Sequence, residues 1–181
     1  MEIKTVIYSR KSPDFFNAKK VEDTTLKTIV EAGNYAPIFG SLHFTLINNP
    51  EIISLIKNTT ISMMKGSGND FLEKQASDPN YNPICNAPTM IILSAPNGND
   101  MQGFNMANVG CAAQNIMLMG ADLGISTRYV MAPVMALSHP EIAEKIRFPE
   151  NHLPLAMILA GYSDNQPEKR NIQKDNISFI K

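Results

Sequence analysis

Three histidines, two cysteines and one short glycine-rich run are the residues most able to do chemistry in this sequence, and their spacing excludes more than it offers. His43, His139 and His152 lack metal-ligand spacing and have no cysteine or acidic partner nearby in sequence, so no metal site is expected. His139, directly ahead of Pro140, and His152 read as surface residues. Cys85 and Cys111 each sit in an apolar segment without a CxxC partner, and read as reduced core thiols, neither a disulfide nor a metal pair. GlySerGly66–68 is too short to cradle phosphates as a P-loop does. There is no GxGxxG after a strand, no GxxxxGK[ST] and no GxSxG elbow. If the chain is an enzyme, a bound cofactor carries the reaction.

The bulk properties narrow the partners. The 181 residues suit one domain, 1–181, with a full hydrophobic core, and 44% are hydrophobic. A net charge of −1 argues against a nucleic-acid or anionic-membrane partner, since both call for a basic surface. MEIKTVIYSRKS lacks the apolar run and cleavage site of a secretory signal, and no apolar stretch is long enough to span a bilayer. The expected compartment is cytoplasmic, which makes the glycosylation patterns at Asn58 and Asn176 uninformative.

The elements that must position any site centre on Gly103–Gly124. This proline-free stretch is rich in Ala, Met and Leu, and Met106, Val109, Gly110, Ala113, Ile116, Met117, Gly120 and Leu123 recur on one helix face. Much of the opposite face is uncharged too, so the helix is expected to be buried on most sides. Gly110, Ala113 and Gly120 would let another backbone approach closely, within the chain or across a subunit interface. Residues 125–131 then read as a strand.

Elsewhere, residues 3–10 carry an apolar stripe and 11–14 a turn. A helix begins at Asp23 or Thr24 and ends near Asn34, followed by a loop at 36–41 and a strand at 43–48. Asn49 caps a helix with Pro50 at its first position, running to about Lys65. Residues 66–86 read as polar and irregular. Strands buried on both faces are expected at 88–95 and 154–162, with a short amphipathic helix at 140–146 between them. A charged tail from Ser163 ends in a weak apolar strand, 176–180, with no partner of its own.

Five scattered pieces, taken together, resemble the nitroreductase family of FMN-dependent homodimeric flavoenzymes. ArgLysSer10–12 resembles the family's opening motif. AlaPro36–37, with HisPheThrLeuIle43–47 and AsnPro49–50, is similar to its second block. Residues 81–92 resemble the loop-strand unit of shorter members. AlaAlaGlnAsnIleMetLeu112–118 with LeuGlyIleSerThr123–127 is the most specific match. GlyTyr161–162 and LysArg169–170 complete the order.

The resemblance implies an α+β nitroreductase-like fold: a central antiparallel or mixed sheet flanked by helices, in an intertwined homodimer whose tail, 163–181, docks on the partner subunit. It implies FMN as cofactor, with hydride passing from NAD(P)H through the flavin to an electron-poor acceptor such as a nitroaromatic or quinone. Arg10, Lys11, Ser12, Lys169 and Arg170 would hold the phosphate, a task for which arginine is well shaped. Pro37, Ile38, Ser41 and His43 would reach the flavin from the partner. The stretch Pro133, Val134, Met135 and Ala136 would bring backbone amides to its N5 edge. No catalytic side chain is obligatory.

The chain also departs from the family pattern. Ile38 replaces a serine, the Asn-x-Gln-Pro-Trp segment is shortened to GlySerLeuHis40–43, and Asp14 replaces the second arginine. Asn108 stands for an aspartate, and Met135 and Ala136 for a Glu-Gly pair. Two alternatives remain on the sequence alone: a flavoprotein of this fold with a non-nicotinamide reaction, and a non-catalytic flavin-binding dimer. Whether Tyr81 and Cys85 face the pocket is for the fold to decide.

Overall fold

The computed structural model describes residues 1–98, 102–165 and 176–180. Among these, six α-helices and four strands follow one another as α1 (Ile3–Ser9), α2 (Asp23–Glu31), β1 (His43–Ile47), α3 (Pro50–Lys65), α4 (Asp70–Ser77), β2 (Thr89–Pro96), α5 (Gln102–Asp122), β3 (Ser126–Val130), α6 (Pro140–Ile146) and β4 (His152–Gly161). Short 3-10 helices cover Ala32–Tyr35 and Ala132–Ser138. The sheet order is β1-β2-β4-β3 and every neighbouring pair is antiparallel.

Alternation along the two central strands splits the core into two layers. On β2, Ile91 and Leu93 face the cluster built with α2 and α5, while Met90 and Ile92 face the cluster built with α3 and the 132–138 turn. On β4, Ala156, Ile158 and Ala160 take the first side, and Met157 and Leu159 the second. Both faces are covered by helices, so both strands read as continuous apolar runs although the sheet is antiparallel. Pro154, which has no N–H to donate, sits where the β2–β4 register slips between Leu93 and Ser94.

α3 follows its sequence signals closely. The Asn49 side chain accepts from the Glu51 and Ile52 amides at 2.9 and 3.1 Å, and Pro50 opens the first turn. α5 packs on the sheet through Val109, Ala112, Ala113, Ile116 and Met117. It stops at Gly124, whose left-handed φ of 74° lets the Ile125 amide reach back to the Gly120 carbonyl at 2.8 Å.

Several expectations change. Residues 3–9 form a helix, with Val6 its buried member. The segment read as irregular contains α4, because Asn69 caps it by accepting from Phe71 and Leu72. Of the apolar face expected for α5, Val109, Ala113, Ile116, Met117 and Gly120 are buried, but Met106, Gly110 and Leu123 are exposed, and Asn105 and Asn108 are buried instead. Cys111 is exposed and Cys85 half-buried, so neither is a core thiol. Residues 176–180 are exposed and form no strand. His139 is exposed, whereas His152 is half-buried with its Nδ1 3.4 Å from Ser94 Oγ.

Candidate functional site: a polar cradle at the end of the long helix

The site begins where α1 ends. Arg10 caps that helix, its amide bonded to the Val6 carbonyl at 3.0 Å. Residues 11–16 then continue without regular structure. Their anchors come from every side: Arg128 Nη1 donates to the Pro13 carbonyl at 2.8 Å, and the Asp14 amide donates to Asn165 Oδ1 at 3.1 Å. The Phe16 amide donates to the Cys85 carbonyl at 2.8 Å, and Ser163 Oγ to the Phe15 carbonyl at 2.7 Å. A segment with few helix or ladder bonds of its own is thus fixed by its neighbours' polar groups.

Between this segment, the end of α5 and the start of β3 lies a polar pocket of ≈ 260 Å³, lined by Ser9, Arg10, Lys11, Pro13, Ala121, Gly124–Thr127, Ser163 and Asn165. Arg10 Nη1 donates to Ser12 Oγ at 3.2 Å, and both side chains are half-buried while Lys11 is exposed. Thr127 Oγ1 is fully buried and has no partner among the described residues. A buried hydroxyl without an acceptor is costly, and Thr127 is one of the residues around a pocket that Arg10 and Lys11 also line. That donor set suits a small anion such as a phosphate. The ends of α1 and α5 present carbonyls there, so no helix N-terminus helps to hold an anion.

The remaining site residues fall elsewhere. Pro37 and Ser41 are exposed, Ile38 is half-buried against the α5 layer, and His43 is exposed at the start of β1. Their loop is clamped to the other end of α5: Asn108 Oδ1 accepts from the Phe39 amide at 3.0 Å, and Asn108 Nδ2 donates to the Phe39 carbonyl at 2.6 Å. From Asn108 to Ala121 is about 20 Å along the helix, so one chain does not bring this loop to the cradle. Pro133 and Ala136 are buried, and Val134 spends its amide on the Met131 carbonyl at 3.0 Å. Val134 and Met135 remain half-buried in the turn beyond the far end of β3, an end that lies about 14 Å from Ser126 along the strand. Lys169 and Arg170 lie outside the described residues.

Sequence reasoning did not single out Thr127, Ser163, Asn165 or Arg128. The only signal was a lone arginine in the otherwise uncharged run 125–131. Arg128 Nη1 also pairs with Asp14 Oδ1 at 3.1 Å, so the acid in the opening motif is matched by a base from β3. Tyr81 and Cys85 both lie within range of the Arg128 charge. Burial pushes the Cys85 thiol up, opposed by Arg128 and assisted by Asp14. Burial also pushes the Tyr81 phenol up, with Cys85 adding and Arg128 opposing.

A search of curated proteins finds no match. Similar solved structures include a nitroreductase with bound FMN from Desulfitobacterium hafniense DCB-2, at 20% identity and TM-score 0.91 over 100% of this chain and 99% of that one. Another is a nitroreductase with bound FMN from Bacteroides fragilis NCTC 9343, at 22% identity and TM-score 0.88 over 100% of both chains. A BluB-like flavoprotein from Clostridium difficile 630 follows at 17% identity and TM-score 0.79 over 100% of both chains. These likenesses establish the fold. The nitroreductase family model matches residues 7–162, from α1 to just past the end of β4, and the chain belongs to that family.

Proposed function

We propose that this protein is an FMN-dependent oxidoreductase that passes hydride from NAD(P)H to an electron-poor acceptor such as a nitroaromatic or a quinone, and that it works as a homodimer. The observation that carries the reading is the polar cradle, where Arg10, Lys11, Ser126 and Ser163 line one pocket in a chain of this family. Bound FMN would supply the redox chemistry itself. Arg10 and Lys11 would hold its phosphate, and the bond from Arg10 to Ser12 keeps the guanidinium turned toward its own loop. Val134 and Met135 would border the ring at the far end of β3. Catalysis would then rest on positioning, because no side-chain acid or base is built into the cradle.

The homodimer has two supports. The Pro37–His43 loop stands too far from the cradle in one chain, so a second copy must supply it if both border one flavin. Apolar surface is also left open along α5. Phe39 and Phe104, with ring centroids 6.0 Å apart, are exposed near one end. A largely apolar groove of ≈ 540 Å³ lies between α1, α2 and α5, lined by Ile3, Val6, Ala32, Tyr35, Leu118 and Met119 among others. Exposed apolar surface of this kind is what a second copy would cover.

The test is a visible spectrum followed by titration with FMN and with riboflavin, which lacks the phosphate. The wild type should be yellow or take up FMN, and anaerobic NADH or NADPH should bleach it. Arg10→Ala should weaken FMN about 10- to 100-fold, the loss of one charge-assisted bond, and leave riboflavin unchanged. A colourless protein that ignores added FMN would overturn the reading. A flavin that neither nicotinamide bleaches would leave the cofactor and remove the proposed donor.

A further inference from the structure

We propose that Arg128 is a positioning residue of the cradle. It seats the Arg10–Asp14 segment on β3 and cancels the carboxylate of Asp14, which would otherwise repel a bound phosphate. The inference rests on the reading of the cradle as an FMN phosphate site.

Strand alternation puts Thr127 and Arg128 on opposite faces of β3. The methyl of Thr127 faces α5, since a Cβ on Gly120 would meet Thr127 Cγ2 at 2.9 Å. The Arg128 side chain therefore extends on the other face, where it meets Pro13 and Asp14. The opening segment thus borders the pocket on one side of the edge strand and is held by the Arg128 guanidinium on the other.

Asp14 carries the wrong sign for an anion site. Its amide is bonded to Asn165, which lines the pocket, and it follows Pro13, which also lines it. Its side chain is 69% exposed, and its ion pair, at 3.1 Å, is with Arg128. An exposed ion pair adds little by Coulomb attraction alone. Here the same guanidinium nitrogen also donates to the Pro13 carbonyl, which couples charge neutralisation to the course of the loop.

Three variants test this, with FMN and riboflavin as paired probes. Arg128→Gln should raise the FMN dissociation constant about tenfold while riboflavin affinity holds, because only the phosphate senses the uncovered carboxylate. Adding Asp14→Asn to Arg128→Gln should restore FMN affinity to within about threefold of wild type. Asp14→Asn alone, at a side chain 69% exposed, should tighten FMN a few-fold, the result that a purely structural ion pair would not give. Equal weakening of FMN and riboflavin in Arg128→Gln, or weakening of FMN in Asp14→Asn, would overturn the inference and leave the cofactor reading standing. A wild type that binds FMN no better than riboflavin would remove the phosphate site, and the inference with it.

Discussion

At position 108 a carboxamide does what a carboxylate could not. Its oxygen accepts from the Phe39 amide while its nitrogen donates to the Phe39 carbonyl, so the loop is held by a matched pair of bonds on a buried residue. An aspartate there would set two oxygens against one donor and one acceptor. His152 shows the same dependence on surroundings. Burial, and secondarily the neighbouring His43, hold its imidazole below the usual range. The two rings meet edge-on, with centroids 6.2 Å apart. The folded state therefore binds fewer protons than the unfolded chain as pH falls below about 6.5. This contribution to stability is present above that pH and lost as pH falls through the depressed folded value. Denaturation midpoints of wild type and His152→Gln between about pH 5 and pH 7.5 should converge toward acid. A pH-independent difference between them would refute the linkage. At this scale the sequence exposed residues whose role is local, such as Asn49 capping α3. Asn108, Thr127 and Arg128 were unreadable or misread, because their partners lie 69 or more residues away or are missing altogether.

Among the elements, α5 separates two glycines that look alike in sequence. A Cβ at Gly120 would lie 2.9 Å from Thr127 Cγ2 and 3.2 Å from the Ile125 carbonyl, so this is where the helix meets its own β3. At Gly110 a Cβ would meet nothing within 4 Å. Gly120→Ala should therefore destabilise the fold by about 1–3 kcal/mol through overpacking, measured by urea or thermal unfolding. If it does not, the close approach of α5 and β3 is wrong. The periodicity of α5 fixed that it is a helix and most of its buried face, but not the edges of that face, since apolar residues occur all round it. α4 escaped notice because its eight residues are mostly polar and its strongest signal is a single Asn cap. α1 escaped because only Val6 of its seven residues is buried.

For the whole molecule, the open groove and the exposed Phe39, Phe104 and Met106 leave one side of α5 without cover in a single chain. Sedimentation should find a species of twice the 20.0 kDa chain mass. Gly110→Glu, placed where the chain has room for a side chain, should shift that species toward monomer with the helical circular dichroism unchanged. It should also weaken FMN if the second copy completes the pocket. A monomer at all concentrations would end the dimer reading.

The sequence by itself determined the order of most elements, the two-faced burial of β2 and β4, the cap of α3 and the family to which the opening motif and α5 pointed. Those properties follow from residues within a few turns or strand steps of one another, where periodicity and capping chemistry act. Tertiary structure alone decided that Arg10 and Thr127 border one pocket and that Arg128 answers Asp14. Such meetings depend on how layers stack and on which face of a helix wins the core, and contact between residues a hundred positions apart leaves no spacing in the chain to read.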